Sequence, residues 1–204
     1  MRVSIRDSRG GSATATGSAE PFNIGHRLAR VVRVALTGTP GTGKSSVGSL
    51  LADRGYYVLY LDRLAEERNL ITGVDEARGA REVDVERLDR EIQVPAKLGF
   101  LVSHYAHRMS VNIAIVLRCH PRTLAKRLQS RGWPEPKIRE NVEAEAIDVI
   151  TQEAAERLPF VYEIDTTDRA PADIAGVVLE ILQGRFTGHE AGSVDWSDEV
   201  LSWY

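Results

Sequence analysis

The segment that decides the fold is residues 31–46, which read VVRVALTGTPGTGKSS. Its first seven residues are mostly apolar and β-branched, which predicts a buried strand. The remainder matches G-x-x-x-x-G-K-[ST] at Gly38, Gly43, Lys44 and Ser45. Such glycines let successive backbone N–H groups point inward, and the start of the following helix adds a positive field. The strand, loop and helix together predict a phosphate-binding loop.

Two side chains of this loop have separate expected tasks. Lys44 would reach the β- and γ-phosphates of a nucleotide, and the Ser45 hydroxyl would bind Mg²⁺. The flanking strand and helix disfavour a chance match by a glycine-rich turn. A purine nucleoside triphosphate is therefore the predicted ligand. The motif alone does not separate a kinase, an ATPase and a GTPase, but the chain lacks the Asn-Lys-x-Asp segment that reads guanine.

Strands and helices alternate along the rest of the chain. Further strands are predicted at residues 57–61, 99–103, 112–118 and 160–164, and helices at 45–54, 62–69, 84–92, 121–131, 136–157 and 171–184. Residues 71–81 are rich in glycine and charge and are predicted to form a mobile loop. This alternation implies an α/β fold, a five-stranded parallel sheet with helices on both faces. Its ligands should bind outside the carboxyl ends of the strands.

Composition limits the class of protein. A chain of 204 residues with 27% charged residues is typical of a single globular domain. The net charge of −3 gives no global attraction to nucleic acid, and no direct nucleic-acid motif is present. The single cysteine, Cys119, excludes an internal disulfide and a multi-cysteine zinc site. No membrane-spanning run and no signal peptide is recognisable, so a cytoplasmic location is expected.

The two ends of the chain differ from the middle. Residues 1–29 are rich in Ser, Gly, Ala and Thr and are predicted to be a disordered leader. An upstream start-site artefact or an expression remnant is the alternative to a functional arm. Residues 30–204 are predicted to form one nucleotide kinase domain. The last residues carry apolar and aromatic groups that either hold the tail on the sheet edge or offer a partner surface: Trp196, Leu201, Trp203 and Tyr204.

A second group of chemistry-bearing residues surrounds the break at Trp133-Pro134. Its basic members are Lys126, Arg127, Arg131, Lys137 and Arg139. A short basic segment between two helices is what a lid for phosphoryl transfer requires, because guanidinium groups spread the charge of the moving phosphoryl. An ordinary solvated helix pair explains the same charges equally well. Trp133 would anchor this segment or stack on a base.

Residues 37–46 and 116–150 together resemble a known family. The sequences TGTPGTGKSS and VLRCHPRTLAKRLQSRGWPEPKIRENVEAEAIDVI are similar to the adenylate-kinase-like family of archaea and eukaryotes, which includes the coilin-interacting nuclear ATPase. GSVDWSDEVL, residues 192–201, resembles the archaeal members. The resemblance, over about residues 31–201, implies a P-loop kinase fold with adenylate kinase and ATPase activities. It also implies a role in maturation of the small ribosomal subunit, through a small-subunit ribosomal protein.

The resemblance assigns tasks to particular residues. ATP would be held at its phosphates by Gly41, Gly43, Lys44, Ser45 and Ser46, and at its adenine by Thr166 and Thr167. Residues 61–84 would bind the monophosphate, and residues 130–140 would be the lid, with Arg131 touching ATP. Arg127 would be a second phosphate ligand. With Lys44, these two arginines would be the catalytic residues.

One position departs from the family pattern. The family carries an acidic residue at the end of the third strand, with one residue between it and the histidine that matches His104, and Val102 stands there instead. Mg²⁺ would then rest on Ser45, phosphate oxygens and water, which its coordination chemistry tolerates. Because the acid also orients a water molecule, reduced ATP hydrolysis is the hypothesis. Asp62, after the second strand, is either a substitute for the acid or a helix cap.

His104 follows the end of a strand and so faces the predicted site. It would position a phosphate or a water molecule, and a hydrogen-bonded packing histidine is the alternative. Cys119 is expected to be a passive small residue, because no neighbour would activate its thiol.

Three functions remain open from the sequence. The first is transfer of the γ-phosphoryl group of Mg·ATP to AMP, giving two ADP. The second is an ATP-driven assembly factor that acts on a ribosomal protein or an immature small subunit. The third is a kinase for another small acceptor, such as a sugar acid. A monophosphate kinase requires arginines between the second and third strands, and the candidates are Arg63, Arg68, Arg78, Arg81, Arg87 and Arg90.

Overall fold

The computed structural model describes residues 31–75 and 80–203. The strands are β1 (Val32–Thr37), β2 (Tyr57–Tyr60), β3 (Ile71–Asp75), β4 (Ala80–Val83), β5 (Leu98–Val102), β6 (Ile113–Arg118) and β7 (Val161–Asp165). The helices are α1 (Lys44–Asp53), α2 (Leu61–Glu67), α3 (Val85–Glu91), α4 (Pro121–Gln129), α5 (Glu135–Ala146), α6 (Val149–Arg157), α7 (Pro171–Leu182) and α8 (Ser197–Leu201). No helix within the described residues is long and apolar enough to cross a membrane.

The central sheet is parallel and has the strand order β2-β5-β1-β6-β7. The predicted five-stranded α/β fold is thereby confirmed. Alternate residues of β1 serve opposite faces of the sheet. Val34 and Leu36 pack with α1 and α7, whereas Ala35 packs with α2, α3 and α6. Because all three are fully buried, β1 is fixed at the centre and delivers the following loop to the middle of the carboxyl edge.

The prediction of a mobile loop at residues 71–81 is wrong for those residues of the range that the structure describes. Ile71–Asp75 and Ala80–Val83 pair as an antiparallel hairpin, with a register shift between Ile71 and Gly73. Val83 packs against the cluster on the α2–α3 side of the sheet, which ties the hairpin to the core. A two-stranded ribbon at the surface buries few side chains, so its strands lack the apolar alternation of a core strand.

The single helix predicted over residues 136–157 is also wrong, because the structure has two helices there. Asp148 has a φ of 64°, in the left-handed region that a continuous right-handed helix excludes. Its carboxylate lies 2.5 Å from Nη1 of Arg118, which holds the chain at this break. The apolar spacing runs on through residues 146–150, and periodicity alone therefore could not reveal the interruption.

We expect Asp148→Asn to stabilise the protein at alkaline pH. Burial raises the pKa of Asp148 from 3.8 to about 6, against the opposing attraction of Arg118. The folded state thus holds this proton more tightly than the unfolded chain, and stability falls as pH rises through 4 to 6. Asparagine tolerates the left-handed backbone and carries no charge.

Thermal unfolding of both proteins between pH 4 and pH 8 tests this expectation. At pH 8 the variant should gain about 1–2 kcal/mol, after allowance for solvent screening of the partly exposed carboxylate. This corresponds to a midpoint higher by about 2–6 °C. The gain should shrink as pH falls from 6 to 4. Equal midpoints at pH 8 would contradict the assigned cost of ionising Asp148.

The tail is attached to the edge of the sheet and to α4. Glu163 of β7 accepts hydrogen bonds from the backbone N–H groups of Gly192 and Val194. Glu199 of α8 accepts one from Arg122 at 2.8 Å. The tail therefore packs on the domain, although the Leu201 side chain remains largely exposed.

Candidate active site

The carboxyl ends of the strands open into a cavity of about 780 Å³. Its walls come from the loop after β1, the start of α2, the end of β4, the turn after β5, and helices α5 and α6. This position at the carboxyl edge is where a doubly wound sheet binds its ligands. The cavity is therefore the candidate active site.

Glycine is required at two points of the loop between β1 and α1. Gly38 has a φ of 131°, and a Cβ atom there would lie 2.2 Å from the carbonyl oxygen of Leu117. Gly41 has a φ of 100°, and its Cβ would lie 2.7 Å from Cδ1 of Leu124. The loop can pass this close to β6 and α4 only because positions 38 and 41 carry no side chain. Packing against β6 and α4 thus sets the shape of the phosphate-binding loop before a nucleotide binds.

Lys44 lies across the phosphate-binding loop. Its ammonium donates hydrogen bonds to the carbonyl oxygens of Gly38 at 2.6 Å and Thr39 at 2.9 Å. Burial lowers the pKa of Lys44 from 10.5 to about 8, and the charges of Asp62 and Glu145 oppose this shift. Lys44 therefore remains mostly protonated at pH 7. It can exchange two carbonyl contacts for phosphate oxygens.

Oxygen ligands suited to Mg²⁺ lie beside Lys44. Ser45 and Ser46 of the first turn of α1 line the cavity, and so does Asp62 of the first turn of α2. Asp62 also accepts a hydrogen bond from Oγ of Ser103, at 3.4 Å. A hydroxyl and a carboxylate are ligands that Mg²⁺ prefers. No group of three or more His, Cys, Asp or Glu that could hold a metal occurs among the described residues.

Val102 brings no polar group to this site. Its side chain is buried in the core cluster that includes Phe100, and it faces α1 close to Gly48. The position at which the family resemblance implies an acid is therefore an apolar contact with α1. Asp62 remains as a carboxylate of the cavity near Lys44.

Two histidines follow β5. His104 lines the cavity, and partial desolvation there together with the charge of Lys44 lowers its pKa from 6.5 to about 4. At pH 7 its imidazole is neutral and can orient a ligand by hydrogen bonding. His107 is buried, with Nδ1 at 3.2 Å from Oγ1 of Thr37 and Nε2 at 3.0 Å from Glu153. It joins the end of β1 to α6.

The structure adds Arg108 to the candidate site residues. Its guanidinium lines the cavity and donates two hydrogen bonds to Oε2 of Glu153, at 2.7 and 3.1 Å. Four of the arginines predicted for the acceptor do not line the cavity: Arg63 pairs with Glu67 and Arg68 with Glu91 on exposed helix surfaces, and Arg87 and Arg90 are exposed on α3. Arg78 and the side chain of Arg81 lie outside the described part of the chain. The sequence patterns did not indicate Arg108, which directly follows His107 in the short segment after the buried strand β5.

The two arginines of the predicted lid have different surroundings. Arg131 lines the cavity. Arg127 instead donates hydrogen bonds to the carbonyl oxygens of Thr166 at 2.8 Å and Thr167 at 2.9 Å. It therefore supports the loop after β7, and it is not among the residues that line the cavity. Thr166 in turn donates a hydrogen bond to the carbonyl oxygen of Thr42, in the phosphate-binding loop.

The predicted lid, residues 130–140, covers one side of the cavity. Trp133 packs against a small cluster that contains Cys119 and Leu124. The ammonium of Lys137 lies 4.5 Å from the centre of the Trp133 ring. Both side chains also line the cavity. Cys119 is fully buried, and burial raises the pKa of its thiol to about 11, consistent with a passive residue.

Comparisons with known proteins agree with this geometry. Residues 34–148 match the family described as an AAA domain. A protein of Archaeoglobus fulgidus named "Putative adenylate kinase" is 42% identical over 170 residues, which cover 82% of this chain and 93% of that protein. A protein of Methanosarcina acetivorans with the same name is 41% identical over 184 residues, covering 82% of this chain and 98% of that protein.

Two solved structures share the fold at low sequence identity. Shikimate kinase from Acinetobacter baumannii gives a TM-score of 0.55 at 18% identity and covers 77% of this chain and 96% of its own. Shikimate kinase from Bacteroides thetaiotaomicron gives 0.51 at 20% identity, covering 74% and 97%. They support the fold alone.

Fold and site together define a class of enzyme. A phosphate-binding loop at the centre of a five-stranded parallel sheet, opening into a cavity at the carboxyl edge, is the architecture of a P-loop kinase, and the archaeal relatives support a phosphotransferase. The chain belongs to the adenylate-kinase-like family that includes the two archaeal proteins. Enzymes of this family use ATP, generally with Mg²⁺.

Proposed function

We propose that this protein is an adenylate kinase, which transfers the γ-phosphoryl group of Mg·ATP to AMP and forms two ADP. One observation carries the proposal: a single cavity combines the phosphate-binding loop, two further arginines and an apolar wall. The arginines are Arg108 and Arg131. The apolar wall consists of Val83, Val85, Tyr105, Val149 and Ile150. Phosphate groups require the cations, and a flat nucleobase requires the apolar wall.

The donor is assigned to the side of the cavity formed by the loop and the lid. Lys44 and the first turn of α1 would bind the ATP phosphates, with Arg131 over them. Ser45 and Asp62 would hold Mg²⁺, which neutralises charge on the β- and γ-phosphates when it is bound. Thr166 and Thr167 are proposed at the adenine, where Arg127 fixes the loop that carries them.

The acceptor is assigned to the side formed by the hairpin, α3 and α6. Arg108 would bind the phosphate of AMP and would be aimed by Glu153. The acceptor oxygen is already anionic, so transfer needs no general base. Lys44 and Arg131 spread the charge of the moving phosphoryl, and neutral His104 donates a hydrogen bond without adding charge. Closure of the lid excludes bulk water, which limits hydrolysis.

The names of the archaeal relatives support the proposed acceptor. A cytoplasmic location is proposed with it, since ATP and AMP are cytoplasmic metabolites. ATPase activity and a role in maturation of the small ribosomal subunit rest on the family resemblance alone. They are the alternative functions to examine if AMP does not stimulate ADP formation in the assay below.

The test is ADP formation from Mg·ATP with and without AMP, with CMP, GMP and UMP as controls. We expect AMP to stimulate ADP formation at least about 100-fold over ATP alone, because a bound acceptor replaces poorly positioned water. Arg108→Met should raise the KM for AMP about ten-fold and leave the KM for ATP unchanged. Arg63→Met, the same change in a surface ion pair, is the control.

Turnover of ATP that no monophosphate changes would contradict the kinase assignment and favour an ATP-driven assembly factor. Stimulation by another small acceptor, but by none of the four monophosphates, would correct the substrate. An unchanged KM for AMP in Arg108→Met would remove Arg108 from the acceptor site.

A further inference from the structure

The last turn of α5 carries a carboxylate that no step of the proposed transfer uses. Glu145 is 2% exposed. Its Oε1 accepts hydrogen bonds from Nε of Arg118 at 2.8 Å and from the Cys119 amide at 3.0 Å. Its Oε2 accepts one from Oγ1 of Thr39 at 2.5 Å. A buried carboxylate is costly unless it is fully hydrogen-bonded, and these donors hold the Glu145 side chain in a single position.

The partner of Glu145 is a residue of the phosphate-binding loop. The carbonyl oxygen of Thr39 accepts hydrogen bonds from the Thr42 amide at 3.2 Å, the Thr42 hydroxyl at 2.9 Å and the Lys44 ammonium at 2.9 Å. A continuous series of contacts thus runs from α5 through Glu145 and Thr39 to Lys44. Since α5 contains half of the lid, both ends of this series face the same cavity.

We propose that Glu145 is a positioning residue that couples α5, and with it the lid, to the conformation of the phosphate-binding loop. The inference rests on the proposed nucleotide site. Glu145 acts through Thr39: it fixes the hydroxyl, and the fixed residue directs its carbonyl oxygen at Thr42 and Lys44. The loop is therefore held in one conformation before ATP binds, which lowers the cost of ordering it on binding.

The charge of Glu145 can be removed without leaving Arg118 unpaired. Arg118 is buried and is contacted by three carboxylates, those of Glu145, Asp148 and Glu163. Neutralising one of them leaves two for a single guanidinium. A buried charge is strongly destabilising when it loses its only partner, and that situation does not arise here. Glu145→Gln should therefore fold.

The test is a double-mutant cycle with Glu145→Gln and Thr39→Val. We expect each single variant to bind Mg·ATP about ten-fold more weakly by isothermal titration calorimetry, and the double variant no more weakly than either. The coupling is then about 1.4 kcal/mol. In the kinase assay the KM for ATP should rise and the KM for AMP should not. Thr39→Ser, which keeps the hydroxyl, should restore the affinity.

Asp148→Asn is the matched control. It removes one charge from the same guanidinium but makes no contact with the phosphate-binding loop, so Mg·ATP affinity should stay at the wild-type value. Wild-type affinity in Glu145→Gln, additive effects in the double variant, or equal weakening in Asp148→Asn would each overturn the proposal. So would lower unfolding midpoints at unchanged affinity, which indicate a structural role.

The outcomes for Glu145 and for the proposed function can be told apart. A wild-type protein that binds Mg·ATP but does not phosphorylate AMP contradicts the proposed acceptor and leaves the calorimetric test of Glu145 valid. A wild-type protein that does not bind Mg·ATP overturns both.

Discussion

Replacement of Lys44 by methionine is expected to lower ADP formation from Mg·ATP and AMP about 1,000-fold. The removal of one preorganised donor to the transferring group costs about 10²–10³ in comparable sites, and Lys44 also carries a full charge. Methionine keeps most of the aliphatic stem, so the loop should keep its packing. The measurement is kcat and both KM values, with the unfolding midpoint as the check on the fold.

Lys97→Met is the matched control, because Lys97 is exposed and precedes β5 at the opposite end of the sheet. It should keep wild-type activity. A Lys44→Met protein that folds and retains wild-type turnover would show that the cavity is not the active site. An equal loss in both variants would point to a general effect of charge.

Asp62→Asn is expected to lower kcat about 100-fold and to raise the Mg²⁺ concentration needed for half-maximal activity. Val102 offers no carboxylate, so Asp62 is the acid of the cavity that acts on Lys44 and His104. Asparagine keeps the shape and one oxygen but loses the charge that Mg²⁺ favours. Magnesium titrations of the initial rate, at saturating ATP and AMP, measure both effects.

Asp53→Asn is the control, because Asp53 is exposed at the end of α1. It should match the wild type at every Mg²⁺ concentration. Unchanged magnesium dependence in Asp62→Asn would remove Asp62 from the metal site. The contribution of Asp62 would then be structural, through its hydrogen bond with Ser103.

The parts of the fold that the sequence predicts are those with local causes. The strand before Gly38 is a continuous apolar run, and the loop follows a fixed glycine spacing, so both can be identified from neighbouring residues. The break at Asp148 has no such sign. It depends on Arg118, which is 30 residues away in the chain and meets Asp148 only in the folded protein.

The residues of the candidate site also divide into those that a local sequence pattern indicates and those that only the folded chain brings together. Lys44 and Ser45 belong to the motif and line the cavity, as does Arg131 of the predicted lid. Arg127 has the same charge and lies four residues earlier in the chain, but the fold directs it to the loop after β7. The bond between Thr39 and Glu145 joins residues 106 positions apart, and no local pattern contains it.

The interruption at Asp148 also bears on how the two halves of the cavity vary in sequence. In a continuous helix every residue turns the next by about 100°, so an insertion on the lid side would rotate the acceptor wall out of place. The left-handed residue resets this rotation between Asn141 on α5 and Ile150 on α6. The two walls of the cavity are therefore carried by separate helices, and the backbone rotation along α5 does not continue into α6.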